Sequence, residues 1–394
     1  MEALRWEKIF PVELRMKKKG VNESMLKCSF HKRAVFICLI AMLFAVLPPS
    51  TVFAEESGGE NTLQIVENAG EAGYYEYNVW TGEETYIPPS EITTLQESDE
   101  PIIVPQEFGS KEAAEAEYTE YFEEDVGELR LPNSWSGVEP FGMVGADDER
   151  TPVGYVTSRF QTTCLIVARY PDGSKAFGTG FLVTDRHVLT AGHLAYDRNA
   201  GGYATHFAVY AGSNDGTYKK YSLAHYYRVG ENYVTYDDIN EDRASYDDWA
   251  VITCDSSMGL GHMGWISTNS AEDMIPYNEN PYWTQGYPLD KNVERFGAYT
   301  DNTELIKYEM YVAPGTVYGN MYDLGPSKLV SVTFDVYYGQ SGSPIYRYVP
   351  GKGYCAQAMI ITGGDDEVAT SEYNVAILIN SRIISAIRDA EANT

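Results

Sequence analysis

The chain has 394 residues, a formal net charge of −28 and 44% hydrophobic residues, enough apolar material for one large domain or two of medium size. No segment combines a basic patch with interleaved aromatic side chains, which argues against nucleic acid as a partner. The chain is therefore treated as a folded, acidic protein that recognises something other than phosphate backbones.

The N-terminal segment predicts export. Lys32 and Arg33 precede an apolar run at 34–47, and residues 52–54 (Val-Phe-Ala) supply the small side chains that a signal peptidase reads. A run of this length is too short for a helix that crosses a bilayer. We expect residues 1–54 to be a secretory signal with a long basic region, and the mature protein to be extracellular. A retained membrane anchor is the alternative.

A strongly acidic stretch follows. Residues 55–150 carry 25 acidic and three basic side chains, whereas residues 151–394 carry 28 acidic and 17 basic ones. The first stretch lacks long apolar periodicity and contains scattered prolines, so it buries too little apolar surface to offset chain entropy. Residues 55–143 are predicted to be a largely disordered propeptide or linker.

Three cysteines remain after the signal. Cys164, Cys254 and Cys355 allow at most one disulfide with one thiol left over. No cysteine pair has metal-ligand spacing, and neither a metal nor another cofactor is expected.

From about residue 152 the pattern changes to short apolar runs separated by turns. The runs lie at 164–168, 180–184, 207–210, 250–253, 329–334, 356–361 and 375–379. Turn sequences lie at 171–173, 214–216 and 363–365. Short strands at this spacing predict an all-β barrel or sandwich.

A single helix is predicted to close the chain. Ile383, Ile384 and Ile387 fall at helical spacing directly after Asn380 and Ser381, which can serve as caps. We expect this helix to pack its isoleucine face on a barrel.

One of the six histidines has a distinctive context. His193 ends the stretch GTGFLVTDRHVLTAGH, in which 178–183 and 187–189 form a predicted hairpin and 190–192 are small residues. Small neighbours leave room for a substrate chain beside the ring. Taken alone, the stretch favours a histidine satisfied at a strand end.

An aspartate candidate lies in YDDWAVITC, which places Asp248 at the mouth of an apolar strand. A buried carboxylate there needs a donor, and an imidazole N–H would serve, because an unpaired buried charge is very costly. Asp247 is the competitor, and Asp248 is preferred since it adjoins the strand. Aspartates at 237–248 could suggest calcium, but they follow no EF-hand spacing, and a solvated loop is expected.

A serine candidate lies in VYYGQSGSPIY, where two glycines bracket Ser341. By itself Gly-x-Ser-Gly is a weak pattern that also suits a turn between two strands.

The three motifs together resemble the chymotrypsin-like serine proteases, because TAGH, DDWAVI and GQSGSP occur in the order His, Asp, Ser. More narrowly, the chain resembles the bacterial glutamyl endopeptidase branch, sharing GADDERTPV, GTGFLV, QGYPLDK and VAILINSRI over roughly residues 144–390. The resemblance implies two six-stranded antiparallel barrels with the site between them, in a protease domain at 144–394. It also implies that Ser341 is the nucleophile, His193 the general base and Asp248 its orienting partner, with the N–H groups of Gly339 and Ser341 as the oxyanion hole.

The resemblance is incomplete at the activation site. Gln340 stands where trypsin-like animal proteases carry an aspartate that pairs with the new N-terminal amine. In the bacterial branch the mature N-terminus lies beside the specificity pocket instead. Comparison puts that terminus at Val144, after Met143, and cleavage after Arg150 is the alternative.

The specificity pocket also departs from the branch. Alignment places Val336 and Ile361 where glutamyl endopeptidases carry a hydroxyl and a histidine, with Val144 as the third pocket residue. Neither Val336 nor Ile361 can donate a hydrogen bond, so the pocket cannot offset the desolvation of a glutamate. We expect weak or no glutamate preference and a preference for apolar or small residues before the cleaved bond. Asp335 is not expected to bind lysine or arginine, because relatives with this aspartate still resemble glutamate-directed enzymes.

The sequence therefore predicts a secreted serine endopeptidase, made as a proenzyme, that acts as a monomer on peptide or protein substrates. A catalytically idle protease-like module for binding or adhesion is one alternative, and an esterase is another.

Overall fold

The computed structural model describes residues 72–89, 103–108, 144, 148–157, 159–236, 247–278, 282–296, 307–320, 327–361 and 373–393. The predicted signal at 1–54, the turn at 363–365 and most of the aspartate-rich loop at 237–248 lie outside these ranges.

The described residues form mostly short strands. In chain order the strands are β1 (Tyr74–Asn78), β2 (Glu84–Ile87), β3 (Ile103–Val104), β4 (Glu107–Phe108), β5 (Thr151–Pro152), β6 (Thr163–Arg169), β7 (Lys175–Leu182), β8 (His187–Thr190), β9 (Tyr196–Asp197), β10 (Gly202–Tyr203), β11 (His206–Ala211), β12 (Lys220–Gly230), β13 (Ala250–Cys254), β14 (Gly261–His262), β15 (Gly264–Ile266), β16 (Tyr282–Gly286), β17 (Tyr311–Gly315), β18 (Val317–Asn320), β19 (Leu329–Val332), β20 (Pro344–Val349), β21 (Gly353–Ile360) and β22 (Asn374–Leu378). The α-helices are α1 (Glu231–Thr235), α2 (Leu289–Phe296) and α3 (Ser381–Ala392).

The first sheet closes into a six-stranded antiparallel barrel. Its order is β11-β6-β7-β8-β13-β12, and β11 also pairs with β12. Strand β6 shows why its sequence is continuously apolar: Cys164, Ile166 and Ala168 face the interior, whereas Leu165 and Val167 belong to a second cluster on its other side.

The second sheet has the order β18-β19-β22-β21-β20-β16-β17-β5. In addition, β15 pairs with β21, and β3 pairs with β15. Strands β17 and β18 are separated only by Thr316, and they pair with β16 and β19 respectively. The seven strands from β18 to β17 form a half-barrel rather than the second closed six-stranded barrel that the resemblance implied, and the side chains of Val317, Phe334 and Ile345 pack together in its core. The predicted all-β architecture is confirmed.

Helix α3 begins where the sequence indicates. The Asn380 side chain accepts the N–H of Ile383 at 3.1 Å, which satisfies one of the free donors at the helix start. Ile383, Ile384 and Ile387 are fully buried in a cluster that includes Trp249 of the first barrel and Ile377 of β22. The predicted C-terminal helix is confirmed, and its isoleucine face packs against both sheets.

Part of the predicted disordered propeptide is ordered. Strands β1 and β2 form a hairpin that pairs with β12, while β3 pairs with β15 and β4 with β14. The expectation of little order is wrong for these segments, because β1, β3 and β4 pair with strands of the protease domain and β2 pairs with β1, which satisfies their backbone groups. The remainder of residues 55–143 lies outside the described ranges.

Cys164, Cys254 and Cys355 are buried free thiols. Within the ranges given above, no helix is long and apolar enough to cross a membrane.

Candidate active site

His193 lies in a 3-10 turn, Gly192–Leu194, directly after β8 and Ala191. The turn is held by the Tyr170 hydroxyl, which donates to the His193 carbonyl at 2.9 Å. A Cβ at Gly192 would lie 2.9 Å from the Trp249 nitrogen and 3.1 Å from Asp248 Oδ1. Gly192 thus leaves space for the Asp248 carboxylate and the Trp249 backbone, directly before β13.

Asp248 holds His193 by two atoms. Its Oδ2 lies 2.8 Å from the ring Nδ1, and its Oδ1 accepts the His193 backbone N–H at 2.8 Å. Both side chains are buried, with Asp248 only 1% exposed. Because a carboxylate can only accept, Nδ1 donates to Asp248, and in the neutral tautomer that this requires the lone pair lies on Nε2. The catalytic role of Asp248 stays a prediction.

Asp247 has different partners. It accepts the Trp249 indole N–H at 3.0 Å and the Asn232 backbone N–H at 2.9 Å, and it forms a buried ion pair with Arg382. Its carboxylate is thus satisfied by structural donors from Trp249, directly before β13, and from α1 and α3. Asp248 therefore hydrogen-bonds to the His193 imidazole, whereas Asp247 holds the surrounding chain in place.

Ser341 lies in a tight turn between β19 and β20. The Gln340 N–H donates to the Tyr337 carbonyl at 2.9 Å, and the Ser343 N–H donates to the Gln340 carbonyl at 2.9 Å. Ser341 is 5% exposed, and its carbonyl accepts the Thr179 N–H of β7 at 2.9 Å. These bonds fix the serine backbone against the first barrel.

The glycines on either side of Ser341 have left-handed backbone conformations. Gly339 and Gly342 both have φ of +88°, which side chains rarely tolerate. A Cβ at Gly339 would lie 2.3 Å from the Tyr287 carbonyl oxygen. The Gly339 carbonyl accepts the Thr179 hydroxyl at 2.7 Å, and within the described ranges its N–H has no protein acceptor. The turn therefore offers a backbone donor on the side of Ser341.

The histidine and serine turns meet at one position of β7. A Cβ at Gly178 would lie 2.4 Å from the Leu194 side chain and 3.2 Å from the Ser341 carbonyl oxygen. Gly178 thus lets the residue after His193 and the backbone of Ser341 approach the same point. The first glycine of GTGFLV, Gly178, is therefore needed for packing, which the sequence alone did not reveal.

The predicted pocket residues Val336 and Ile361 are both buried, but they belong to different core clusters. Val336 packs with the interior of the second sheet, and Ile361 packs with the cluster under α3. Val144, the third predicted pocket residue, is partly buried. The pocket assignment stays a prediction.

Asp335 has a contact that the sequence did not suggest. Its two carboxylate oxygens accept the N–H groups of Val144 and Glu149, each at 2.7 Å, and the side chain is buried. The available signal was an aspartate between two apolar residues close to the serine, because such a buried acid must find donors.

Arg150 anchors the same segment. Its guanidinium binds Asp290 with both carboxylate oxygens, at 2.8 and 2.6 Å, and Asp148 at 3.0 Å. These bonds and a nearby Lys291 hold the pKa of Asp148 well below its usual range, against the opposing effect of burial. The Arg150 side chain is buried.

Comparison with known proteins now gives the family. The Trypsin family model matches residues 152–385. The extracellular metalloprotease of Bacillus subtilis (strain 168) is 29% identical over 268 residues, which cover 66% of this chain and 74% of the relative. The solved structure described as Glu endopeptidase in complex with MPD has 22% sequence identity to this chain and a TM-score of 0.47. The match covers 64% of this chain and 100% of the endopeptidase chain. The protease Anisep from Arthrobacter nicotinovorans is 17% identical with a TM-score of 0.43, covering 62% and 99%.

Among the described residues, no three His, Cys, Asp or Glu side chains are grouped so that they could hold a metal ion. Since the family model spans more than half of the sequence, the chain belongs to the trypsin family of serine endopeptidases.

Proposed function

We propose that this protein is a secreted proenzyme of a serine endopeptidase that cleaves peptide bonds through an acyl-enzyme formed on Ser341. The observation that carries the proposal is the two-point grip of Asp248 on His193, which leaves the ring Nε2 as the proton acceptor. The packing of the Ser341 turn and the His193 turn against Gly178 supports it.

In the proposed mechanism, the Ser341 hydroxyl attacks the substrate carbonyl while His193 Nε2 takes its proton. The same proton passes to the leaving amine, and a water molecule then repeats the sequence to release the acyl group. Asp248 stays ionised throughout, keeps the proton on Nδ1 and stabilises the imidazolium. The N–H groups of Gly339 and Ser341 would bind the oxyanion, and a lost donor of this kind costs about 3 kcal/mol in the barrier.

A serine-directed probe tests this assignment. A fluorophosphonate should label the processed wild-type enzyme and fail to label Ser341→Ala. Ser343→Ala is the matched control, because Ser343 lies two residues on and its buried hydroxyl has no hydrogen-bond partner among the described residues. Labelling of Ser341→Ala, or its loss in a folded Ser343→Ala, would contradict the proposal. An idle binding module would label in no form.

Processing is proposed to release Val144 as the mature N-terminus. Cleavage after Met143 turns the Val144 N–H into an ammonium, and that nitrogen lies 2.7 Å from Asp335 Oδ1. This ammonium–Asp335 pair would take the place of the pair that trypsin-like animal proteases form with an aspartate at the position of Gln340. Cleavage after Arg150 is less favoured, since a buried guanidinium held by Asp290 is a poor site for an activating protease.

Secretion rests on the signal predicted at residues 1–54. Mass spectrometry of the active protein from the culture medium should find Val144 at the N-terminus. A mature chain that starts at Thr151 would support the alternative site, and a protein that stays with the cells with its first 54 residues intact would contradict secretion.

We further propose that the enzyme prefers an apolar or small residue before the cleaved bond. Val336 and Ile361 cannot donate hydrogen bonds to a glutamate, and Asp335 already accepts two backbone N–H groups, so it is engaged before any arginine or lysine arrives. Matched peptides that differ only before the cleaved bond should show leucine, phenylalanine or alanine cut faster than glutamate and arginine. Faster cleavage after glutamate would refute this preference.

A further inference from the structure

Residues 72–89 precede the proposed cleavage at Val144, yet their strand β1 covers an edge of β12 in the first barrel. Strand β11 pairs with the first part of β12 (220–223), and β1 pairs with the last part of the same strand, from Asn78 opposite Tyr226 to Tyr74 opposite Gly230. Without β1 this length of β12 would present open backbone groups. The hairpin therefore serves the protease domain as an added strand pair.

Tyr74 anchors the hairpin in the protein core. Its side chain is 1% exposed, its ring lies edge-on to Trp249 at 6.3 Å, and its hydroxyl donates to Asp389 of α3 at 2.7 Å. Burial and the Asp389 hydrogen bond raise the pKa of this phenol well above its usual range. Tyr74 thus fills a site built from the first barrel and α3 together.

Gly73 connects the hairpin to the residues beside the proposed triad. Its carbonyl accepts a hydrogen bond from Arg382, whose guanidinium also binds Asp247, the neighbour of Asp248. Its N–H donates to Glu231, which also accepts the Tyr86 hydroxyl at 2.9 Å. The hairpin therefore shares a hydrogen-bond network with the chain that leads into Asp248.

The second segment, residues 103–108, lies in a cradle lined by glycines. The Gln106 N–H donates to the Lys352 carbonyl at 2.8 Å, and its side-chain oxygen accepts the Tyr354 N–H at 3.0 Å. A Cβ at Gly264 would lie 2.7 Å from the Val104 carbonyl, and one at Gly353 would lie 2.8 Å from the Gln106 side chain. The protease domain thus has glycines at points where this segment needs the space.

We propose that residues 72–89 and 103–108 stay bound to the protease domain after the chain is cut before Val144, so that the mature enzyme contains two non-covalently associated chains. The proposal rests on the processing proposed above. The partner surface is the Tyr226–Gly230 edge of β12 with Trp249 and Asp389, and the occupant is this protein's own acidic, tyrosine-rich segment. The contacts described above are made by residues 72–89 and 103–108, among which Tyr74 and Gln106 are buried.

Controlled cleavage tests the proposal independently of natural processing. A full-length Ser341→Ala chain, unable to digest itself, carries the site of a sequence-specific protease within residues 109–143. After cutting, the N-terminal fragment should co-elute with the protease domain in native size-exclusion chromatography at micromolar concentration. A fragment that elutes separately overturns the proposal. The natural N-terminus of the wild-type enzyme is read in a separate experiment, so failure of the processing site is distinguished from failure of retention.

Two hairpin variants make the test specific. Tyr74→Ala removes a fully buried aromatic side chain and should weaken retention of the cut fragment by about a hundredfold or more. Trp80→Ala removes an aromatic ring that is 58% exposed in the same hairpin and should leave retention unchanged. Equal retention of the wild-type and Tyr74→Ala fragments would contradict the docking described here.

Discussion

The two adjacent aspartates predict opposite mutant phenotypes. In Asp248→Asn the amide has one acceptor oxygen for two donors, the His193 ring and the His193 backbone N–H. If the amide NH₂ faces the ring, it forces the proton onto Nε2, and His193 can no longer accept from Ser341. If it faces the backbone N–H, two donors oppose each other in a buried site, which costs about 1–3 kcal/mol.

The expected magnitude for Asp248→Asn follows from the protease template, in which the same change lowers kcat by about ten-thousandfold, or roughly 5 kcal/mol in the barrier. The fold should be little affected, because the substitution preserves shape. Asp247→Asn should do the reverse. It removes one partner of a buried ion pair with Arg382, which costs about 3–5 kcal/mol of stability and lowers Tm on the order of 10 °C.

The assay is kcat/KM on one peptide, normalised to folded enzyme, beside a thermal melt of each variant. Asp248→Asn should be stable and nearly inactive, whereas Asp247→Asn should be unstable but active per folded molecule. If Asp248→Asn kept more than about a hundredth of wild-type activity, the assignment of the orienting carboxylate would be refuted.

Three further predictions follow from single residues. Gly339→Ala puts a Cβ 2.3 Å from the Tyr287 carbonyl and should lower kcat by about a hundredfold or more, while a KM change alone would contradict the oxyanion role. Burial and nearby arginines lower the pKa of His187 to about 4. The unfolded state therefore binds the proton first, so stability is complete above pH 6.5 and falls by about 3 kcal/mol toward pH 4. Urea titrations at several pH values should show a flatter profile for His187→Gln, and an unchanged profile would refute this. Asp335→Asn should lower kcat/KM of the processed enzyme by about tenfold or more without preventing release of Val144, and full activity would count against the amine pair.

The acidic N-terminal stretch shows where composition misled the prediction. YYEYN and ETYI contain the aromatic and β-branched residues that favour strands, and the turn between them is made by local groups. The Asn78 side chain accepts the N–H groups of Trp80 and Thr81, and Gly82 has φ of +71°. The hairpin signal was present, but averaging the acidic charge over the whole stretch concealed it. A two-stranded hairpin is marginal alone, and it is β12 that stabilises this one.

The sequence by itself determined the features that neighbouring residues control. These include the strands that flank His193, the Asn380 cap of α3, and the turn in which Gly339 and Gly342 must adopt positive φ. Only the tertiary structure decided which distant groups meet, such as Asp335 and Val144, which are 191 residues apart. The physical reason is that backbone propensity acts over a few residues, whereas a buried carboxylate takes whichever donors the packed barrels bring within hydrogen-bonding distance.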